Sequence, residues 1–193
     1  MDRRTVLQVL GAAAVGAGAP DELAVLGREI HRGLRPAAGL GVLDSRQNAT
    51  VVAIADLLIP ATDTPGATAA RVNEFIDLLL AEWYDASDRD RFLAGLADVD
   101  ARARASFGKN FADGSPSEQA GLLTVLDHET ARWHGSPEAT RGPEPFYRRM
   151  KWLTLFGYYT SEIGAGQEQH YVMIPERYVP CAPVDSLAAP PPE

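Results

Sequence analysis

The stretch from Phe146 to Ile163, FYRRMKWLTLFGYYTSEI, limits what this chain can fold into more than any other. Phe146, Met150, Leu153, Gly157 and Thr160 recur at helical spacing and mark one apolar side. Trp152, Leu155, Phe156 and Tyr159 carry apolar surface on the other side. A helix that is apolar nearly all round must be covered nearly all round. It belongs in the middle of a core, or between the core and another molecule. Most of its rings are expected in the core, with part of the face left for a partner protein.

The rest of the chain reads as helices with short connections. Asp44, Ser45 and Asn48 are N-cap residues ahead of ATVVAIADLLI, which Pro60 ends. The Asp/Thr/Pro-rich turn at 60–67 has one carboxylate, too few for calcium, and no P-loop lysine, so it reads as capping and turn chemistry. Val72, Phe75, Ile76, Leu79 and Trp83 form the buried stripe of a helix expected over 67–84, with Arg71, Glu74 and Asp77 on its polar side. Phe92, Leu96, Val99, Ala103 and Phe107 share a face in a helix beginning near Ser87, where Asp88 and Asp90 suit the helix dipole. Ser115-Pro116-Ser117-Glu118 is a capping box with proline at the first helical position, before a helix that buries Leu122, Leu126 and Trp133.

These elements predict an all-α fold, a single small domain of about five helices over 44–185 that ends in an extended segment. Residues 20–43 are expected to be a linker or a segment ordered by a partner, with a short helix near 22–30 and a solvated His31. Residues 186–193 form a proline-rich tail expected to be disordered.

Met1–Ala19 begins with Arg3 and Arg4, followed by Val6, Leu7 and a mild Ala/Gly-rich run. That order is an export signal of the twin-arginine kind, which carries folded cargo and implies a periplasmic destination. The run falls short of the roughly 20 apolar residues of a membrane span. The alternative is an ordinary amphipathic tail with a chance arginine pair. Ala17-Gly18-Ala19 has the form of a cleavage site, but Pro20 follows it, so cleavage there or elsewhere stays open.

Chemistry is sparse. A net charge of −8 argues against nucleic acid. One cysteine excludes an internal disulfide and a Cys-rich metal site. Gly164-Ala165-Gly166 lacks the third glycine of a dinucleotide fingerprint and follows a helix rather than a strand. His128 and His134 do not share a helical face at metal-ligand spacing. Glu162, Glu168 and His170 are the one group suited to acid–base work, without a nucleophile or cofactor beside them. Cys181, bracketed by Pro180 and Pro183, is expected either to form a disulfide with a partner subunit or to be a buried small hydrophobe.

Several stretches together resemble a known family: the twin-arginine start, LIPATDTPGA at 58–67, Phe75-Ile76-Asp77, LTLFGYYTSE at 153–162 and YVPCAP at 178–183. The chain is similar over about residues 1–185 to the small subunits named after subunit 3, the gamma subunit, of gluconate 2-dehydrogenase. The resemblance implies a subunit without catalytic, cofactor or metal residues. Its partner would be a large FAD-dependent oxidoreductase of the glucose–methanol–choline type that oxidises sugars, with a cytochrome c subunit often accepting the electrons. Members with the signal are thought to export the flavoprotein as a passenger and to assist its maturation. Membrane association would come through the complex. A carrier must hold its passenger firmly, and Trp152, Phe156, Tyr158, Tyr159, Tyr171 and Tyr178 form the pool of expected contacts. Two other readings stay open: a free-standing exported helical binding or chaperone protein, and an enzyme using Glu162 and His170.

Overall fold

The computed structural model describes residues 20–33, 39–134, 143–169 and 171. The expected export signal with Arg3, Arg4 and Leu7, the residues His170, Tyr178 and Cys181, and the proline-rich tail lie outside the described residues. Six α-helices are present among the described residues: α1 (Pro20–Gly33), α2 (Ser45–Leu58), α3 (Val72–Glu82), α4 (Ala86–Phe107), α5 (Pro116–His134) and α6 (Phe146–Tyr159). A 3₁₀ turn spans Phe111–Asp113 and a π-helical turn spans Ile163–Glu168. No strand occurs among the described residues. The fold is all-α, as expected.

The aromatic helix is the hub. α6 packs against each of α1 to α5 and against the π-helical turn. Tyr147, Met150, Leu153, Gly157 and Tyr158 are buried along it. Its core neighbours include Val51 and Ile54 of α2, Phe75, Ile76 and Leu79 of α3, and Leu96 and Val99 of α4. Close approach sets the packing. A Cβ at Gly95 of α4 would collide with the Phe146 ring, and one at Gly157 would meet Phe75 Cδ1 at 2.8 Å.

Local signals explain most helix ends. The Asp44 carboxylate accepts from Gln47 N at 2.7 Å while Gln47 Oε1 accepts from Asp44 N at 2.9 Å, a reciprocal capping box. Asp85 caps α4 by accepting from Asp88 N at 2.8 Å. Gly108 ends that helix at φ 76°, a left-handed conformation that costs glycine little. Ser115 and Glu118 form the expected box at α5.

Two buried carboxylates hold the frame. Asp77 accepts from three successive backbone amides, Gly41 N at 2.6 Å, Val42 N at 3.0 Å and Leu43 N at 2.8 Å. Asp77 is buried, which corrects its assignment to a solvated face of α3. Asp100 of α4 accepts from Arg46 Nε at 2.8 Å and from Phe111 N at 3.0 Å, so it ties α2 to the 3₁₀ turn.

Three elements differ from expectation. Helix α3 starts at Val72 rather than at residue 67, because the chain first reverses through Arg71 at φ 56°. Asp56 braces that reversal, accepting from Thr68 N at 3.0 Å and from Thr68 Oγ1 at 2.8 Å. Helix α6 stops at Tyr159 instead of running to residue 163. The Thr160 and Ser161 hydroxyls bond back to the carbonyls of Phe156 and Tyr158, both at 2.6 Å, and the π-helical turn follows. The stretch expected to be a linker or partner-ordered segment with a short helix near 22–30 contains the longer helix α1, which packs against α3 and α6 of this same chain. Leu26 and Ile30 of α1 are buried, and Gly27 lets the helix approach Thr160 where any Cβ would collide.

Thr154 of α6 has the one buried side-chain polar atom without a protein hydrogen-bond partner among the described residues. Thr154→Val keeps the shape and removes the orphaned hydroxyl. It is expected to raise stability by about 1 kcal/mol, read as an upward shift of the urea midpoint at unchanged m. A lower midpoint would mean that the hydroxyl is satisfied in the folded protein.

Candidate functional site

The turn of an α-helix by 100° per residue divides the rings of α6 between two environments. Trp152 and Leu155 point outward, 40% and 44% exposed, and Phe156 and Tyr159 are half-buried beside them. Trp152, Leu155 and Tyr159 stand at i, i+3 and i+7 and form one continuous outer stripe. The Trp152 ring stacks on Phe156 with centroids 4.9 Å apart. Phe156 in turn meets buried Phe75 edge-on at 5.7 Å. The stripe is therefore seated on the core rather than free to swing. The Tyr159 hydroxyl donates to Glu168 of the π-helical turn at 2.8 Å, which fixes its ring as well. Exposed aromatic surface held in place loses little entropy when another surface covers it.

Tyr158 does not belong to this face. It is fully buried, and its hydroxyl donates to the Pro65 carbonyl at 2.7 Å. One residue of rotation turns it away from Tyr159 and toward the 60–66 turn, so its role is internal. Tyr171 is 46% exposed and lies just beyond the π-helical turn, outside any helix, with Arg28 of α1 above its ring at 4.9 Å. Leu155 was left out of the expected contact pool, although its spacing between Trp152 and Tyr159 carries the signal for it. Val25 on α1, 52% exposed, extends the apolar surface of that helix and had no sequence signal of its own.

Of the expected acid–base group, only Glu162 and Glu168 fall among the described residues. Glu162 is exposed, and His170 lies outside the described residues. The buried hydroxyl nearest to Glu162 in sequence, Ser161 Oγ, is occupied at the helix end. It donates to the Tyr158 carbonyl and accepts from Gly164 N at 3.0 Å. A second polar cluster lines a small cleft between α3, α4 and the start of α6. There Arg149 donates to the Tyr84 hydroxyl at 3.0 Å and to Glu144 at 2.6 Å. Burial pushes the Tyr84 pKa up, partly offset by Arg149. Burial also opposes the Arg149 charge, but Tyr84 and Glu144 together hold its pKa above the ordinary arginine value. The cluster is a closed network joining three elements, with each charge answered inside it.

No group of three or more His, Cys, Asp or Glu side chains is placed to hold a metal ion among the described residues. No described helix is long and apolar enough to cross a membrane.

The two segments Thr62–Ala67 and Gly157–Glu162, far apart in sequence, meet at the Tyr158–Pro65 hydrogen bond. Among curated proteins and among solved structures, no match to the chain is found. The family model for gluconate 2-dehydrogenase subunit 3 matches residues 45–175, from the first residue of α2 to beyond the π-helical turn. The chain belongs to the gluconate 2-dehydrogenase subunit 3 family.

Proposed function

We propose that this chain is the non-catalytic small subunit of an FAD-dependent sugar dehydrogenase of the glucose–methanol–choline type. It binds the catalytic flavoprotein, stabilises it during maturation and carries it out of the cytoplasm on a twin-arginine signal. The observation that supports this reading is an exposed, pre-ordered aromatic stripe on the central helix of a chain that belongs to a dehydrogenase-subunit family. Such a stripe suits the centre of an interface, where buried aromatic anchors dominate binding. FAD is expected in the partner, with sugar oxidation there and electrons leaving to a cytochrome c subunit.

The test is co-expression with a large FAD-dependent oxidoreductase chain of that type, purification on a tag placed on this chain, and the flavin absorbance of the product. A yellow complex of fixed stoichiometry supports the proposal. A colourless monomer beside a large chain that is active alone favours a free-standing exported binding protein. Turnover of a sugar by the isolated chain would instead revive an enzyme reading.

The stripe makes a sharper prediction. Trp152→Glu combined with Leu155→Glu is expected to weaken association at least about 100-fold while leaving the thermal midpoint of the isolated subunit within about 2 °C. Undiminished flavin co-purification by the double variant would place the interface elsewhere.

A further inference from the structure

Helix α1 lies before residue 45 and so outside the matched family region. Among its described side chains, its hold on the body comes from buried Leu26 and Ile30, Gly27 pressed on Thr160, and His31. The His31 ring stacks on Phe75 of α3, centroids 4.7 Å apart and planes 24° from parallel. Its Nε2 lies 2.7 Å from the Gly157 carbonyl of α6. The nitrogen must donate there, so the docked neutral imidazole is the Nε2–H tautomer. One side chain thus joins α1 to both helices beneath it.

We infer that α1 is a proton-released latch, docked on α3 and α6 while His31 is neutral and freed when the imidazole becomes charged. Among the described residues, no carboxylate bonds the imidazole. The charged group acting on it among the described residues is Arg71 at the start of α3, which also pairs with Glu74. Phe75, Phe156 and Gly157 offer rings and a carbonyl but no counter-charge. Burial lowers the His31 pKa, against the opposing Gly157 hydrogen bond, and the Arg71 charge lowers it further. The sign follows from linkage. The undocked imidazole, with a pKa near 6.5, binds protons more readily than the docked one. Docking is complete above that value and weakens by about tenfold per pH unit below it, until the docked pKa is reached. A free helix of 14 residues is marginal in water, so release also unravels it.

Release would uncover the face of Phe75 on which His31 lies, and Phe75 is the ring against which Phe156 and then Trp152 rest. The latch belongs to this chain alone and does not depend on the dehydrogenase partner.

The test is amide hydrogen exchange of the full chain at pH 7.5 and pH 5.0, corrected for intrinsic rates, with His31→Phe and His31→Gln in parallel. Phenylalanine keeps the stack and glutamine keeps the donor; neither titrates. In the native chain, protection over residues 25–31 is expected to be lower at pH 5.0 than at pH 7.5 while α4 and α5 stay protected. Whichever variants dock at pH 7.5 are expected to show no such fall. Undiminished protection in the native chain, loss spread over every helix, or an equal fall in a docked variant would each overturn the latch. So would a His31 titration midpoint at or above 6.5, read by NMR from the ring protons.

Discussion

Asp77→Ala is expected to lower the thermal midpoint of this subunit by about 10 °C. Asp77 is 6% exposed, and its carboxylate accepts from three consecutive backbone amides at 2.6 to 3.0 Å. Hydrogen bonds to a charged acceptor are worth about 1.5–3 kcal/mol each, but three on one carboxylate share a single desolvation and do not add fully. A loss of about 3–4 kcal/mol follows, and each kcal/mol moves the midpoint of a domain this size by about 2–4 °C. The damage is local in origin: Leu43 N is left buried without an acceptor, and the segment entering α2 loses its anchor on α3. Asp77→Asn keeps one acceptor oxygen while turning an NH₂ group toward the amides, so it should fall between alanine and the native residue. Asp98→Ala, removing an exposed carboxylate paired with Arg102, is expected to change stability by less than about 1 kcal/mol. Equal midpoints for Asp77→Ala and Asp98→Ala would show that the amide cage contributes nothing.

Asp77 also shows where sequence reading stops. On a helical wheel it sits beside Arg71 and Glu74, and a carboxylate in that company reads as solvated. Its partners are backbone amides some 35 residues earlier, and backbone groups leave no trace in residue identity. Where the partner is a side chain at fixed spacing, the signal is visible: Asp44 with Gln47 and Ser115 with Glu118 both take their expected cap geometry. The central position of α6 was legible for a related reason, because a helix apolar on all sides has few places to go. The division of its rings was not. Tyr158 and Trp152 look interchangeable in sequence, and only the rotation of α6 against α3 decides which is buried. His31 was hidden by composition: the Gly/Ala/Arg-rich stretch around it looks like a linker, while the contact depends on Gly157 and Phe75, more than 40 residues away.

Two of the segments that carry the family resemblance, at 58–67 and 153–162, now have a physical role. The Tyr158 hydroxyl reaches the Pro65 carbonyl, while a Cβ on Gly66 would crowd Ala61 N at 2.7 Å and Ile59 O at 2.8 Å. The Asp/Thr/Pro turn and the end of α6 therefore brace each other and set the height at which the outer stripe of α6 is presented. Thr62 donates to Asp63 at 2.8 Å and lowers the Asp63 pKa, which is turn chemistry within the loop. The chemistry of these segments serves architecture, and the stripe they support is the surface proposed for the partner.

The same logic predicts a sharp contrast between two glycines of the π-helical turn. A Cβ on Gly164 would run into the Tyr158 carbonyl oxygen, with the Tyr158 carbonyl carbon 2.7 Å away. These are backbone atoms at the end of α6 and cannot rotate aside as a side chain does. Gly164→Ala must therefore push the turn off the helix, costing about 3 kcal/mol and breaking the bond from Gly164 N to Ser161 Oγ. The Tyr159–Glu168 bond and the placement of Tyr171 under Arg28 depend on that turn and should be lost with it. Gly166 lies two residues on, in the same element, with nothing within 4 Å of its Cβ position. Gly166→Ala is expected to be neutral or stabilising by up to about 1 kcal/mol, because alanine costs less backbone entropy and meets no obstacle. Denaturant unfolding of the two variants, with near-UV circular dichroism to report the tyrosine environments, measures the contrast directly. Gly164→Ala should lose near-UV signal that Gly166→Ala keeps. Equal stability of the two would mean that the turn does not press on the end of α6, and the seat proposed for Tyr159 would fall with it.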